Sequence, residues 1–315
     1  MPHSRFQLYP PNLQDAGPTR QFIWLLILCI TGISLASFLS VVIGVLVLGF
    51  SIPELGSLVS NPSQPGALAM LQLSQFLSAC GIFLFPPIML VTLRGIPLRQ
   101  GLFLQGKPLI FLFLGSMILM WIQLPLINLL SAFNNQLVFP GFLQPLGDWM
   151  RLQEDQAGRL TELFLTMPTG WNFLISLFIM ALIPALGEEL LFRATLQPMF
   201  TKWTGKPHLA IWITAFVFSF IHFQFFGFLP RFLIGAFLGY LFYWSGSIWY
   251  SVAAHFANNG LAVLACYLNQ QGLLPITTDN AGSGPDAGLH AAIALVLLPI
   301  GLLLFKRACK QRITH

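Results

Sequence analysis

Eight apolar segments, at about 22–50, 67–93, 108–133, 171–192, 208–228, 230–245, 248–268 and 288–305, constrain this chain more than any other feature. Inside a bilayer every backbone N–H and C=O must be paired within the protein, and a helix pairs its own. Apolar runs approaching ~20 residues therefore read as helical membrane spans. No soluble core of 315 residues buries a composition that is 56% apolar with 30 phenylalanines. The expectation is an all-α polytopic integral membrane protein of about eight transmembrane helices. A polar cytoplasmic tail at 1–20 precedes a single transmembrane domain at 21–315. The turn Ser245-Gly246-Ser247 is read as a tight helical hairpin, and 134–170 as a loop with a short interfacial helix. The Gly- and Asn-rich 269–287 is read as an irregular loop.

The basic residues orient the segments. With the N-terminus inside, Arg5, Arg20, Arg94, Arg99, Lys107, Arg193, Lys202, Lys206, Lys306, Arg307, Lys310 and Arg312 fall in the cytoplasm. Only Arg151, Arg159 and Arg231 fall outside, a bias that places both termini inside. The net charge of +5 follows from this retention. The basic residues form no stripe, which argues against nucleic acid as a partner. Cys29, Cys80, Cys266 and Cys309 form no Cys-x-x-Cys pair, so neither a disulfide framework nor a thiolate metal site is expected. The compact chain and its uncleaved first span point to the plasma membrane of a prokaryote.

Charged residues are only 8% of the chain, yet Gly187-Glu188-Glu189-Leu190-Leu191-Phe192-Arg193 brings three to the end of the 171–192 run. Ionisable groups at such depth mark functional sites unless they only pair with one another. Glu189 and Arg193 are four apart on one helical face, a favourable acid-before-base spacing. Glu188 lies about 100° from Glu189 and roughly 140° from Arg193, without a partner in its own helix. Other polar groups within the spans are His222, and His255 with Asn259 four residues on. Singly, each reads as a hydrogen bond between helices. Together, a carboxylate, two imidazoles and an amide are the parts of a hydrolytic site. Glu188 with a histidine can activate water, and a second histidine with Asn259 can stabilise an oxyanion. The same Glu188, His222 and His255 could instead hold a divalent metal such as zinc, although no His-Glu-x-x-His motif is present. Gly235 and Gly239 form a Gly-x-x-x-Gly, read as helix packing.

Glu188-Glu189-x-x-x-Arg193, Phe218-x-x-x-His222 and His255-x-x-x-Asn259, in that order on successive helices, resemble the CAAX protease and bacteriocin-processing family. That family includes the type II CAAX prenyl endopeptidases. The resemblance covers about 171–268. It implies an intramembrane protease with a conical helical-bundle core and a cavity open to the cytoplasm. Glu188 and His222 would activate water, His255 and Asn259 would stabilise the oxyanion, and Glu189 and Arg193 would brace the site. The implied partners are membrane lipids and a peptide or protein substrate, either lipidated at its C-terminus or carrying a leader. Two other classes keep the same spans: a non-catalytic scaffold or immunity-type protein, and a proton-coupled transporter. The absence of an internal repeat weighs against the transporter.

Overall fold

The apolar segments fold as helices, and among the described residues there is no strand. The computed structural model describes residues 16–58, 60–61, 64–105, 107–274 and 286–313. Most of the expected N-terminal tail, and positions 275–285 of the expected loop, lie outside these residues. The long helices are α1 (Pro18–Leu46), α2 (Ala67–Leu93), α3 (Ile110–Asn135), α4 (Gln144–Phe164), α5 (Gly170–Thr204), α6 (Pro207–Phe220), α7 (Phe228–Ser245), α8 (Ile248–Gln270) and α9 (Ala287–Ile313). Helices α7 and α8 meet at Gly246 as a tight hairpin.

Among the described residues six helices are long and apolar enough to cross a membrane: α1, α2, α3, α5, α9 and the segment Phe225–Ser245 that contains α7. Two of the eight expected spans depart from that standard. Helix α6 has 14 residues, about 21 Å of rise against a hydrocarbon core of about 30 Å. It ends at Phe220, because the chain turns at 221–227 through Phe223, whose φ is +53°. Helix α8 is long enough at 23 residues, but His255, Asn258 and Asn259 dilute its apolarity. The expected end of the fourth span at 192 is also corrected. Helix α5 runs 35 residues to Thr204, so the Glu-Glu-x-x-x-Arg motif lies well inside it. The helix continues because Arg193 is wholly buried and partnered there.

Burial ranks the helices. In α5, 56% of the apolar window is buried, against 22% in α1 and 17% in α9. The last two present bands of exposed side chains, Ile30 and Phe38 on one and Leu295 and Leu303 on the other, which suit lipid. Helix α5 is the central post. Three π-helical stretches, Cys80–Leu84 in α2 and Phe178–Leu182 and Leu190–Leu196 in α5, each lie just before a proline (Pro86, Pro184, Pro198). Proline cannot donate to the carbonyl four residues back, and a widened turn absorbs the missing bond. The two stretches in α5 flank the glutamate pair, and the second contains Arg193.

Helices α5 and α7 are laced by spacing. Arg193 Nη2 donates to the Gly235 carbonyl at 3.0 Å, and Gln197 Nε2 donates to the Gly239 carbonyl at 3.0 Å. Donors four apart on one helix meet acceptors four apart on the other. The Gly-x-x-x-Gly thus does more than admit α6: its carbonyls anchor the motif helix. A Cβ on Gly239 would stand 2.9 Å from Ile211 Cγ2 and 3.0 Å from Gln197 Oε1. Gly239→Ala should therefore destabilise the protein by about 1–3 kcal/mol, the usual range for overpacking. Its thermal unfolding in detergent measures this, and an unchanged midpoint would show that the lacing yields freely.

Candidate active site

The site begins with two adjacent carboxylates that α5 turns to different neighbours. Glu189 Oε1 lies 2.9 Å from Arg193 Nη1, with both side chains fully buried. Arg193 Nε and Glu189 Oε2 have no hydrogen-bond partner among the described residues, so charge rather than an aligned network holds the pair. The Arg193 guanidinium also sits 4.7 Å from the Phe218 ring centroid, a cation–π contact. Glu188 faces the other way, into a cavity of about 430 Å³. Gly187 makes this possible, because a Cβ there would lie 2.8 Å from Phe83 Cβ on α2.

Both histidines are fixed through Nδ1 and present Nε2 to Glu188. His222 Nδ1 stands 2.7 Å from the Phe218 carbonyl, which can only accept, so Nδ1 carries the hydrogen. His255 Nδ1 stands 2.8 Å from Glu189 Oε1, with the same consequence. Glu188 Oε2 is then 4.0 Å from His222 Nε2 and 3.8 Å from His255 Nε2. These separations exceed a direct hydrogen bond and fit one water bonded to both sides. Phe218 packs edge-on to both rings, at 5.2 and 6.0 Å. His222 does not lie within a helix, as the apolar run at 208–228 suggests, but in the turn after α6.

Asn259 Nδ2 donates to the Met180 carbonyl at 3.3 Å, the carbonyl that Pro184 leaves without its usual helical donor. Its Oδ1 accepts from Asn258 Nδ2 at 3.0 Å. Glu188, His222, His255, Asn258 and Asn259 all line the cavity. A second cavity, of about 400 Å³, shares Glu188, His222, Met180 and Thr161 and adds the apolar Phe83, Leu160, Phe164 and Ile221. Glu188 stands where the two meet.

The motifs do not disclose three further contributors. Arg231 lines the first cavity and clasps Gln224 through its carbonyl at 3.2 Å and its side-chain oxygen at 2.8 Å. Glu154, on α4, accepts the Phe226 amide at 3.0 Å, and the Arg151 guanidinium lies 3.5 Å from the Phe226 ring centroid. The turn carrying His222 is thus held from both sides. Helix α4 is 21 residues long rather than short, and its Thr161 lines both cavities. Only Arg231 left a trace in the sequence, as a charge at the start of an apolar run.

Residues 170–261 match the family model described as type II CAAX prenyl endopeptidase Rce1-like. This segment is similar to an Rce1-like domain. It contains every motif residue, so the resemblance carried by the three motifs holds. No curated protein and no solved structure matches the chain. The Rce1-like family is a protease family, and with six apolar helices the chain reads as an integral membrane protein bearing a peptidase domain. Among the described residues no group of three or more His, Cys, Asp or Glu is arranged to hold a metal ion. A metal held by Glu188, His222 and His255 would have to take both Nε2 atoms as lone-pair donors, since both Nδ1 atoms are already committed.

Removing one partner of a buried ion pair leaves the other charge stranded, at a cost of about 3–5 kcal/mol. Arg193→Ala should accordingly lower the unfolding temperature and the monodisperse yield sharply, while Glu188→Gln behaves as the parent. A stable, monodisperse Arg193→Ala would show that His255 alone satisfies Glu189.

Proposed function

We propose that the Rce1-like domain is an intramembrane endopeptidase that hydrolyses a peptide bond, with Glu188 as general base. The supporting observation is the unpaired Glu188 carboxylate facing two imidazole Nε2 atoms in a cavity large enough for a peptide segment. A water between Glu188 and His222 gives its proton to Glu188 as its oxygen attacks the carbonyl carbon. The carbonyl oxygen takes up negative charge, and the protonated Glu188 then supplies the proton on the departing amine as the C–N bond breaks. His255 and Asn259 donate to the oxyanion. Because His255 Nδ1 is committed to Glu189, its Nε2 donates only when both ring nitrogens carry hydrogen. Glu189 and Arg193 hold His255 and α7 in register rather than touching substrate.

In this reading α6 and α8 lie within the membrane beside the six apolar helices, giving eight intramembrane segments around a protease core at about 171–268. Both termini face the cytoplasm, as the distribution of basic residues indicates, and the membrane is a prokaryotic plasma membrane. The substrate is a peptide or protein, either lipidated at its C-terminus or carrying a leader.

Topology is tested by cysteine labelling in intact cells. An impermeant reagent should reach a cysteine at Asp155 on α4 and not one at Gln105, and the reverse pattern would invert the orientation.

The chemistry is tested with purified protein and a peptide library. General-base catalysis contributes about 10²–10⁴-fold, so Glu188→Gln should lose at least that much turnover while folding normally. Enzyme stripped of metal should keep its activity. Stoichiometric zinc, with activity lost on removal and restored on return, would instead make Glu188, His222 and His255 ligands. Cleavage unaffected by Glu188→Gln would refute the assignment altogether.

A further inference from the structure

A second polar cavity lies behind the motif helix, away from the Glu188 site. It has a volume of about 330 Å³, and its lining includes Gln21, Arg94, Gln100, Thr195 and Lys202. Among the described residues its two cations have no acid opposite them, since no Asp or Glu lines the cavity. Neither the Arg94 nor the Lys202 side chain has a hydrogen-bond or ion-pair partner among the described residues. Arg94 Nε is also shut off from solvent with its hydrogen unused. Burial pushes the Arg94 guanidinium down from its ordinary value, the mark of a buried cation lacking a counter-charge.

Three apolar helices end here. Gln21 belongs to the first turns of α1, Arg94 directly follows α2, and Lys202 is in the last turn of α5. The cavity is therefore level with the boundary between hydrocarbon and headgroups. Basic pockets between helix ends at that level suit anionic headgroups. A guanidinium offers paired donors matched to phosphate, and an ammonium adds a mobile point charge. The Gln100 amide can donate as well.

We propose that this cavity is a binding site for a phosphate group, with Arg94 and Lys202 as its two cationic ligands. Its position selects the phosphate of an anionic lipid headgroup, and free phosphate shares the same chemistry. Ala194, Thr195, Pro198 and Met199 of α5 form one wall, which begins one residue beyond Arg193. A bound anion thus ties the ends of α1, α2 and α5 together and stabilises the Rce1-like domain. The proposal does not depend on the chemistry at Glu188.

The test uses the full-length protein in a neutral detergent, titrated separately with phosphatidylglycerol, phosphatidylcholine and inorganic phosphate while thermal unfolding is followed. Phosphatidylglycerol should raise the midpoint in a saturable way, and phosphatidylcholine should not. At about 1 kcal/mol per basic residue, Arg94→Gln and Lys202→Gln should each weaken the apparent affinity roughly fivefold, and together about twenty-five-fold. Arg99→Gln removes an exposed cation outside the cavity and should leave the affinity unchanged. A response to inorganic phosphate with the same dependence on Arg94 and Lys202 would support the site with a soluble anion as its occupant. No saturable shift with either anion, or equal weakening by Arg99→Gln, would overturn it. Lys202 is exposed, so Lys202→Gln carries the test even if Arg94→Gln folds poorly.

Discussion

The ion pair of Glu189 and Arg193 is the interaction on which the rest of the site depends. Both groups are fully buried at 2.9 Å, where desolvation is costly and a lost partner costs more. What the pair secures is position. Arg193 reaches α7 through the Gly235 carbonyl and braces against the Phe218 ring on α6, while Glu189 reaches α8 through His255. One salt bridge within one helix therefore sets α5 against the three helices that follow it, and each of those contacts lies within one residue of a group lining the cavity or next to it in space.

The backbone contributes as much as the side chains. Pro184 removes the donor to the Met180 carbonyl, and Asn259 supplies one from α8. An orphan carbonyl in an apolar setting needs a partner, so the proline fixes the distance of α8 from α5 and with it the depth of His255, one turn before Asn259. The lacing of Arg193 and Gln197 onto Gly235 and Gly239 acts likewise for α7.

Spacing made much of this legible in the sequence. Periodicity separates the faces of Glu188 and Glu189, pairs Glu189 with Arg193, and places His255 and Asn259 on one side of α8. The helical hairpin at Gly246 and the closeness of α6 to α7 at Gly235 and Gly239 were legible for similar reasons. Hydropathy fails where a helix continues without apolar residues or stops among them. It ended the fourth span near 192, whereas the polar Arg193, Thr195 and Gln197 are buried inside the bundle. It ran the fifth span to 228 through Phe223, Phe225 and Phe226, which form the turn. Helix α4 was legible only as a short helix, because an amphipathic helix against a loop has no apolar run to mark its length. The clasp of Glu154 on Phe226 joins residues 72 apart, and no local pattern encodes it.

The two adjacent glutamates illustrate what the π-helical stretches accomplish. In a regular α-helix a step of one residue turns the side chain by about 100°, enough to separate two neighbours but not to choose their directions. The direction depends on the phase with which the helix enters the bundle. A π-helical turn inserts a residue into the cycle and resets that phase. Helix α5 does so before the motif, at Phe178–Leu182, and again after Glu189, at Leu190–Leu196. The seven residues between them, Ile183–Glu189, are thus free to take the orientation the site requires while both ends of α5 keep their packing. Arg193 lies within the second stretch, where the widened turn adjusts its approach to Glu189, Gly235 and Phe218 together. The phase that turns Glu189 toward Arg193 and His255 leaves Glu188 aimed at the cavity, so the neutralised carboxylate and the one that faces the cavity are consequences of a single helical setting.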